Sequence, residues 1–205
     1  WGGPEVYQHP GYYGSPGYYG RPTPRSPGGY RRGRSGGLLA GALRYLEDKP
    51  ELKQRLIEDD GFLRTATEEF LRYISPAVGL AKTATQDFEL EGQQIKAGDR
   101  MWFMYRAANW DPAEFTDPDK VDLERTPNRH YAFGAGIHRC LGSNLARAIF
   151  QIALRQFLVR IPDYTVLPDE AKPYVFACVN AGYAQLRIRY TPGTRVFEQP
   201  ILEKL

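Results

Sequence analysis

The chain has very few cysteines and no long hydrophobic run. Its two cysteines, Cys140 and Cys178, cannot form a disulfide framework, which indicates a reducing compartment. No charged segment followed by an apolar one opens the chain, so export is not predicted. The apolar stretches are far shorter than the roughly 20 residues that a membrane helix needs. These absences predict a protein without disulfide support and without a membrane partner.

Glycine and proline are concentrated at the N-terminal end. Residues 1–37 contain 11 glycines and six prolines, a composition that cannot bury enough apolar surface to fold alone. Five arginines face a single acid in this stretch, so the net charge of +3 on the whole chain is concentrated there. We therefore expect a disordered tail over residues 1–37 and a folded domain over residues 38–205.

The tail contains a tandem repeat, with Gly-Tyr-Tyr-Gly-Ser-Pro at residues 11–16 and Gly-Tyr-Tyr-Gly-Arg-Pro at residues 17–22. Arginine binds phosphate and tyrosine stacks on bases, so one interpretation is a segment that binds RNA or joins a condensate. The alternatives are a solvated linker or the product of a frameshift, because GC-rich codons read out of frame tend to yield Gly, Pro and Arg.

Hydrophobic periodicity and breaker residues predict four helices. Residues 38–57 form two short helices, because Pro50 is tolerated in the first turn of a helix but not in its interior. A third helix covers residues 62–73 and ends before Pro76. The fourth covers residues 145–159, where a single narrow polar stripe on an apolar helix predicts that the helix is otherwise buried.

The remaining segments predict short strands and one long loop. Residues 82–105 alternate in polarity around turns at Gly92 and Gly98, which indicates a small antiparallel sheet. Residues 109–130 are rich in Pro, Asp and Asn, have no period and predict a functional or tightly packed loop. Short strands follow between residues 162 and 190. The fold class predicted is mainly α with small antiparallel β-sheets.

The most specific feature is the segment Phe-Gly-Ala-Gly-Ile-His-Arg-Cys-Leu-Gly at residues 133–142, directly before the fourth helix. Glycines let the backbone approach a flat macrocycle, and a following helix N-terminus favours a thiolate over a thiol. The segment matches the signature F-G-x-G-x-H-x-C-x-G at every fixed position, and on it the chain resembles the cytochromes P450. The matching residues are Phe133, Gly134, Gly136, His138, Cys140 and Gly142.

The resemblance implies roles around a heme b cofactor. Cys140 would be the axial iron ligand, whose electron donation favours O–O cleavage. His138 would bind a heme propionate, and Phe133 would pack beside the thiolate. Lys82 stands where many soluble members have a propionate-binding arginine, and it keeps the charge but loses the bidentate fork. Without the motif, Cys140 would be interpreted as a buried structural cysteine.

An acid and a base lie one helical turn apart at Glu69 and Arg72, a spacing that allows an ion pair. The pair matches the E-x-x-R motif of the same family. The resemblance implies that Arg125, in the long loop, joins them in a buried network that fixes the heme-loop architecture. On its own, such a pair is common on a solvated helix face.

One further position departs from the family pattern, and two segments match parts of the family that face the substrate. Trp110 stands where the common soluble pattern has arginine, with no consequence that the sequence reveals. Residues 76–80 and the turn at residues 179–181 match substrate-facing segments, and the apolar Val78 and Leu80 suit an apolar ligand.

The resemblance to the soluble bacterial members implies a cytoplasmic heme-thiolate monooxygenase. Its partners would be a small apolar organic substrate, O2 and a ferredoxin or flavoprotein reductase, with no nucleic acid. The alternatives are a non-catalytic heme-binding fragment and an RNA or condensate protein acting through the tail.

The family's oxygen-activating helix would lie before Leu38, where this sequence has the tail instead. We therefore expect a truncated form, assign no catalytic residue on the distal side of the heme, and expect no substrate turnover by the chain as written.

Overall fold

The computed structural model describes residues 34–176 and 179–193. Five α-helices lie in these residues: α1 Arg34–Leu46, α2 Pro50–Glu58, α3 Asp60–Ile74, α4 Tyr105–Ala108 and α5 Ser143–Arg160. The break between α1 and α2 and the end of α3 confirm the predicted helices, although α1 begins four residues before the expected start at Leu38. The tandem repeat of the tail and Cys178 lie outside the described residues.

The start and end of α3 follow from local chemistry. The Asp59 side chain accepts a hydrogen bond from the Phe62 amide at 2.9 Å, which caps the first turn. At the other end Ser75 adopts a left-handed conformation with φ of 42°, and Pro76 follows. This pair stops the helix and turns the chain toward the first strand.

The strands form four separate two-stranded antiparallel ladders, so the small sheet predicted over residues 82–105 is in fact two ladders. In the register of the first ladder Lys82 lies opposite Met101, and Glu91 and Gly92 make the tight turn of the second with positive φ values. The pairs are β1 Leu80–Thr83 with β4 Arg100–Phe103, β2 Phe88–Leu90 with β3 Gln93–Ile95, β5 Thr165–Val166 with β8 Ile188–Arg189, and β6 Lys172–Phe176 with β7 Asn180–Gln185.

The hydrophobic core lies where α1, α3 and α5 meet. Phe70 of α3 packs edge-on against Phe150 of α5, with ring centroids 6.1 Å apart. Leu154 and Leu158 continue the buried face of α5. Residues at this spacing face one side of a helix, so α5 contacts the core along a single stripe.

The remaining surface of α5 departs from the prediction of a helix that is buried except for a polar stripe. Leu145 is 65% exposed and Ile149 is 47% exposed. The apolar residues of the sequence are spread around the helix, whereas the described elements cover only one side of it. None of the helices in residues 34–176 and 179–193 is both long and apolar enough to cross a membrane.

Candidate functional site

The loop at residues 133–142 is a hairpin-like turn that presents Cys140. The Cys140 amide donates to the Phe133 carbonyl at 2.9 Å, closing the loop on itself. Between them, Gly134 and Gly136 have φ values of 70° and 68°, in the region that favours glycine. The turn therefore needs glycine at the first two of the three positions where the signature has it.

The surroundings of Cys140 fit a flat apolar group bound through sulfur. Cys140 is exposed, and the apolar side chains on either side of it, Ile137 and Leu141, are 97% and 102% exposed. A Cβ atom added at Gly142 would lie 4.0 Å from the Cys140 sulfur, in ordinary van der Waals contact, so position 142 lies beside the sulfur. A thiol flanked by open apolar side chains and a glycine suits a heme better than a closed structural role.

Two predicted propionate ligands lie on different elements. His138 is exposed at the end of the short 3₁₀ turn Gly136–His138. Lys82 is half-buried in β1, and its ammonium lies 4.8 Å from the centre of the Phe103 ring. No carboxylate of the described residues lies within ion-pair distance of Lys82, so its charge is available to an anion.

The first ladder and the heme loop are joined through Tyr105. A Cβ atom added at Gly134 would lie 3.3 Å from the Tyr105 hydroxyl, so the two groups are close neighbours. Tyr105 begins α4 and is separated by one residue from β4, the strand that pairs with the one carrying Lys82. The contact therefore places the start of α4 beside the start of the loop.

The structure brings together Glu69, Arg72 and Arg125. Arg72 binds Glu69 with two hydrogen bonds of 2.8 and 2.7 Å, and both side chains are fully buried. Arg125 adds a third at 3.1 Å from the long loop. Burial by itself raises the pKa of Glu69, but the hydrogen bonds and positive charges around it outweigh this and lower the pKa.

The Glu69 network organises the long loop. The Asp122 amide and the Asn128 side chain also donate to the Glu69 carboxylate, at 2.9 and 3.0 Å. Arg72 donates to the carbonyls of three loop residues, Asn109, Pro118 and Lys120. A loop without helix or strand is thus held at five points, three carbonyls, one amide and one side-chain amide, by one buried ion pair.

Asn109 is a residue whose role sequence reasoning missed. Its side chain is fully buried, accepts from the Tyr131 amide at 2.6 Å and donates to the Ser75 hydroxyl at 2.8 Å. It therefore ties the approach to the heme loop to the end of α3. An asparagine in a Pro/Asp/Asn-rich stretch carries no signal that separates it from ordinary turn residues.

A second missed network surrounds Glu68, the residue before the family's glutamate. Arg147 of α5 binds it bidentately at 2.6 and 2.7 Å, and His130 contacts it at 3.0 Å. Burial raises the pKa of Glu68, but hydrogen bonds from Arg147 and His130 outweigh it and lower the pKa to about 2. The polar stripe on α5 was the available signal, because an arginine on an apolar helix needs a partner.

Trp110 has a local role in place of the family's arginine. Its indole stacks on Tyr73 with ring centroids 4.9 Å apart, and its N–H donates to the Tyr73 carbonyl at 3.0 Å. An indole has only one donor, so the rest of the contact is apolar stacking. The departure from the family pattern is accommodated at the C-terminal end of α3.

The two segments with substrate-facing counterparts lie side by side. The Val78 amide donates to the Val179 carbonyl at 2.9 Å, and the Ala181 amide donates to the Pro76 carbonyl at 3.0 Å. Val78 is almost fully buried, whereas Leu80 is exposed. The pairing fixes residues 76–80 against the β7 turn.

Comparison with known proteins gives consistent matches. A sequence model described as Cytochrome P450 matches residues 43–176. The chain is 45% identical over 122 residues to 20-oxo-5-O-mycaminosyltylactone 23-monooxygenase of Streptomyces fradiae, covering 60% of this chain and 29% of that protein. It is 34% identical over 158 residues to the steroid C26-monooxygenase of Mycolicibacterium smegmatis, covering 77% and 39%. The Bacillus subtilis cytochrome P450 PksS structure matches with a TM-score of 0.70 at 34% identity, covering 78% of this chain and 42% of that one.

The chain spans between 29% and 42% of the length of these three relatives. The matched residues include Glu69 and Arg72 of the E-x-x-R motif and the whole cysteine loop at residues 133–142. The helices with small antiparallel ladders confirm the predicted fold class. Members of the matched family bind heme and use O2, an organic substrate and redox partners. With a match over well over half of its residues, the chain belongs to the cytochrome P450 family.

Proposed function

We propose that the chain supplies the heme-binding site of a heme-thiolate monooxygenase, with heme b held by Cys140. The observation that carries the proposal is the exposed thiol at the end of a complete signature loop, flanked by exposed Ile137 and Leu141. The chemistry that a thiolate-bound heme supplies is activation of O2 for insertion of one oxygen atom into an organic substrate.

The other predicted site residues position the cofactor. Lys82 and His138 hold the two propionates, as an ammonium and an exposed imidazole. Gly134, Gly136 and Gly142 keep the approach to the macrocycle free of side chains. Phe133 would pack beside the thiolate, and its carbonyl accepts the hydrogen bond that closes the loop.

The Glu69, Arg72 and Arg125 network is the support for this site. It holds the long loop that leads directly to residue 133, and its central ion pair is fully buried. A change in the network therefore acts on heme retention through the loop. Its role is structural and involves no contact with substrate.

The substrate proposed is a small apolar organic molecule that faces residues 76–80 and 179–181. The exposed Leu80 and the neighbouring Val78 suit an apolar ligand. One relative is named a steroid C26-monooxygenase, and a steroid is a largely apolar organic molecule. Electrons would come from a ferredoxin or flavoprotein reductase, and the location proposed is the cytoplasm.

The test of the proposal is the ferrous-CO spectrum of the chain reconstituted with heme. We expect the red-shifted band of thiolate ligation, and we expect Cys140→Ser to abolish it. Cys178→Ser is the matched control, because it removes the only other thiol and leaves the band unchanged. Retention of the thiolate band in Cys140→Ser would contradict the proposed ligand.

A further inference from the structure

Glu68 and Glu69 are neighbours in sequence but serve different parts of the molecule. Glu69 faces the long loop, whereas Glu68 faces α5 and the approach to the cysteine loop. The Glu68 side chain is 30% exposed and carries three hydrogen bonds from two partners. The bidentate geometry fixes the orientation of the Arg147 guanidinium as well as its position.

The second partner of Glu68, His130, is held in one orientation. Its ring is 3% exposed, and its Nδ1 atom accepts a hydrogen bond from the Ala132 amide at 3.2 Å. An acceptor at Nδ1 requires the proton on Nε2, which donates to Glu68. Both ring nitrogens are thus occupied, and the imidazole is locked between α3 and residue 132.

Both partners of Glu68 then contact Phe133. The Arg147 guanidinium carbon lies 4.7 Å from the centre of the Phe133 ring. The His130 ring lies 6.3 Å from it, tilted by 49°. Phe133 is in turn the residue whose carbonyl accepts from the Cys140 amide. A single carboxylate therefore fixes two side chains that enclose the aromatic residue of the loop.

We propose that Glu68, acting through Arg147 and His130, is a positioning residue that holds Phe133 and thereby sets the environment of the Cys140 sulfur. The inference rests on the proposed function of Cys140 as heme ligand. Residues that orient a ligating group from one contact away commonly change metal affinity by about 10- to 100-fold when they are replaced.

A nearby ion pair provides a matched comparison. Asp60 and Arg155 also join α3 to α5, and Asp60 is 70% exposed. Neither residue contacts Phe133 or another residue of the cysteine loop among the described residues. Loss of this pair removes a connection between the same two helices and leaves the loop untouched.

The experiment compares Glu68→Gln with Asp60→Asn in the heme-reconstituted chain. We expect Glu68→Gln to lower the fraction of heme that shows the thiolate CO band and to weaken heme retention by about 10- to 100-fold. Asp60→Asn should behave as the unaltered chain in both measurements. Arg147→Lys should lower the thiolate fraction as Glu68→Gln does, because an ammonium cannot provide the bidentate, planar contact with Glu68 and Phe133.

Hydrogen exchange of the Cys140 amide in the heme-free chain is the second measurement. Because this amide bonds to Phe133, Glu68→Gln should speed its exchange, whereas Asp60→Asn should not. Equal exchange rates and equal CO spectra in the two variants would overturn the inference while leaving Cys140 as ligand. Absence of the thiolate band in the unaltered chain would overturn the proposed function and this inference with it.

Discussion

The helical core and the cysteine loop are built on opposite principles. In the core, Phe70, Phe150 and Leu154 are fully buried and fixed by apolar packing. In the loop, residues 135–142 are all exposed and are fixed by glycine conformations and a few backbone hydrogen bonds. The core therefore determines stability, whereas the loop determines chemistry and depends on its connections to the core for its shape.

The largest effect on the connection between the helical core and the cysteine loop is expected from removing the Glu69 carboxylate. We expect Glu69→Ala to lower the free energy of unfolding by about 3–5 kcal/mol, because Arg72 would remain buried and unpaired. Glu124→Ala is the matched control, since Glu124 pairs with Arg55 while 63% exposed and should cost about 0–1 kcal/mol. Denaturant titration of both variants measures the difference. A similarly small decrease in the free energy of unfolding in both variants would contradict the supporting role of Glu69.

Substitution of one leucine in each region allows the helical core and the cysteine loop to be compared directly. Leu154→Ala should lower the free energy of unfolding by about 2–5 kcal/mol, because it leaves a cavity in a fully buried position. Leu141→Ala, at a fully exposed position, should change it by no more than about 0.5 kcal/mol in the heme-free chain. The same Leu141→Ala change should weaken heme retention if the loop is the cofactor site. Equal stability losses would contradict the division between core and loop.

Trp110→Phe examines a contact of intermediate strength. The change keeps the stacking on Tyr73 but leaves the Tyr73 carbonyl without its indole donor, so we expect a loss of about 0.5–1.5 kcal/mol. Trp102→Phe, at an exposed position of β4, is the control and should be close to neutral. Thermal unfolding of the two variants would show the difference. No loss for Trp110→Phe would mean that stacking alone holds the residue.

The pH dependence of the Glu68 contact is the smallest expected effect. Because hydrogen bonds hold the pKa of Glu68 at about 2, below its ordinary value of 4.5, the ionised form stabilises the folded chain. This contribution is complete above pH 4.5 and is lost as the pH falls toward 2. We expect about 1 kcal/mol or less at neutral pH, since the pair is partly exposed.

Glu68→Gln should remove this part of the pH dependence. Unfolding measured at pH 6, 4 and 3 should therefore show a smaller decline for Glu68→Gln than for the unaltered chain. Asp122→Asn is the comparison variant, because it also replaces a carboxylate by an amide but the Asp122 side chain accepts from the Glu124 amide and not from Arg147. Identical declines in the unaltered chain and in Glu68→Gln would show that the carboxylate titrates without a partner.

The sequence predicted the elements whose pattern is local. Pro50 and Pro76 located helix boundaries, and the spacing of residues 133–142 identified the loop. The E-x-x-R pair was also visible, because its two members lie on one helix. The predicted tail over residues 1–37 stays a prediction except where α1 begins at Arg34.

Contacts between distant segments were beyond the reach of the sequence. Glu68 and Arg147 are 79 residues apart, and Asn109 and Tyr131 are 22 apart, so no periodicity relates them. The exposed side of α5 was predicted wrongly for the same reason, because apolar composition does not specify which neighbours cover a helix. The sequence shows which residues need partners, and the fold decides which partners they receive.

The amide of Asn109 imposes a direction on its hydrogen bonds. The Tyr131 amide can only donate, so Asn109 Oδ1 must face it and Nδ2 must face Ser75. The Ser75 hydroxyl then donates a hydrogen bond to the Arg72 carbonyl at 2.5 Å. Aspartate would lack the Nδ2 donor to Ser75, and leucine would lack both the donor and the acceptor. This directional chain of hydrogen bonds couples the end of α3 to the approach to the heme loop, so displacement of one end alters the hydrogen bonds of the other.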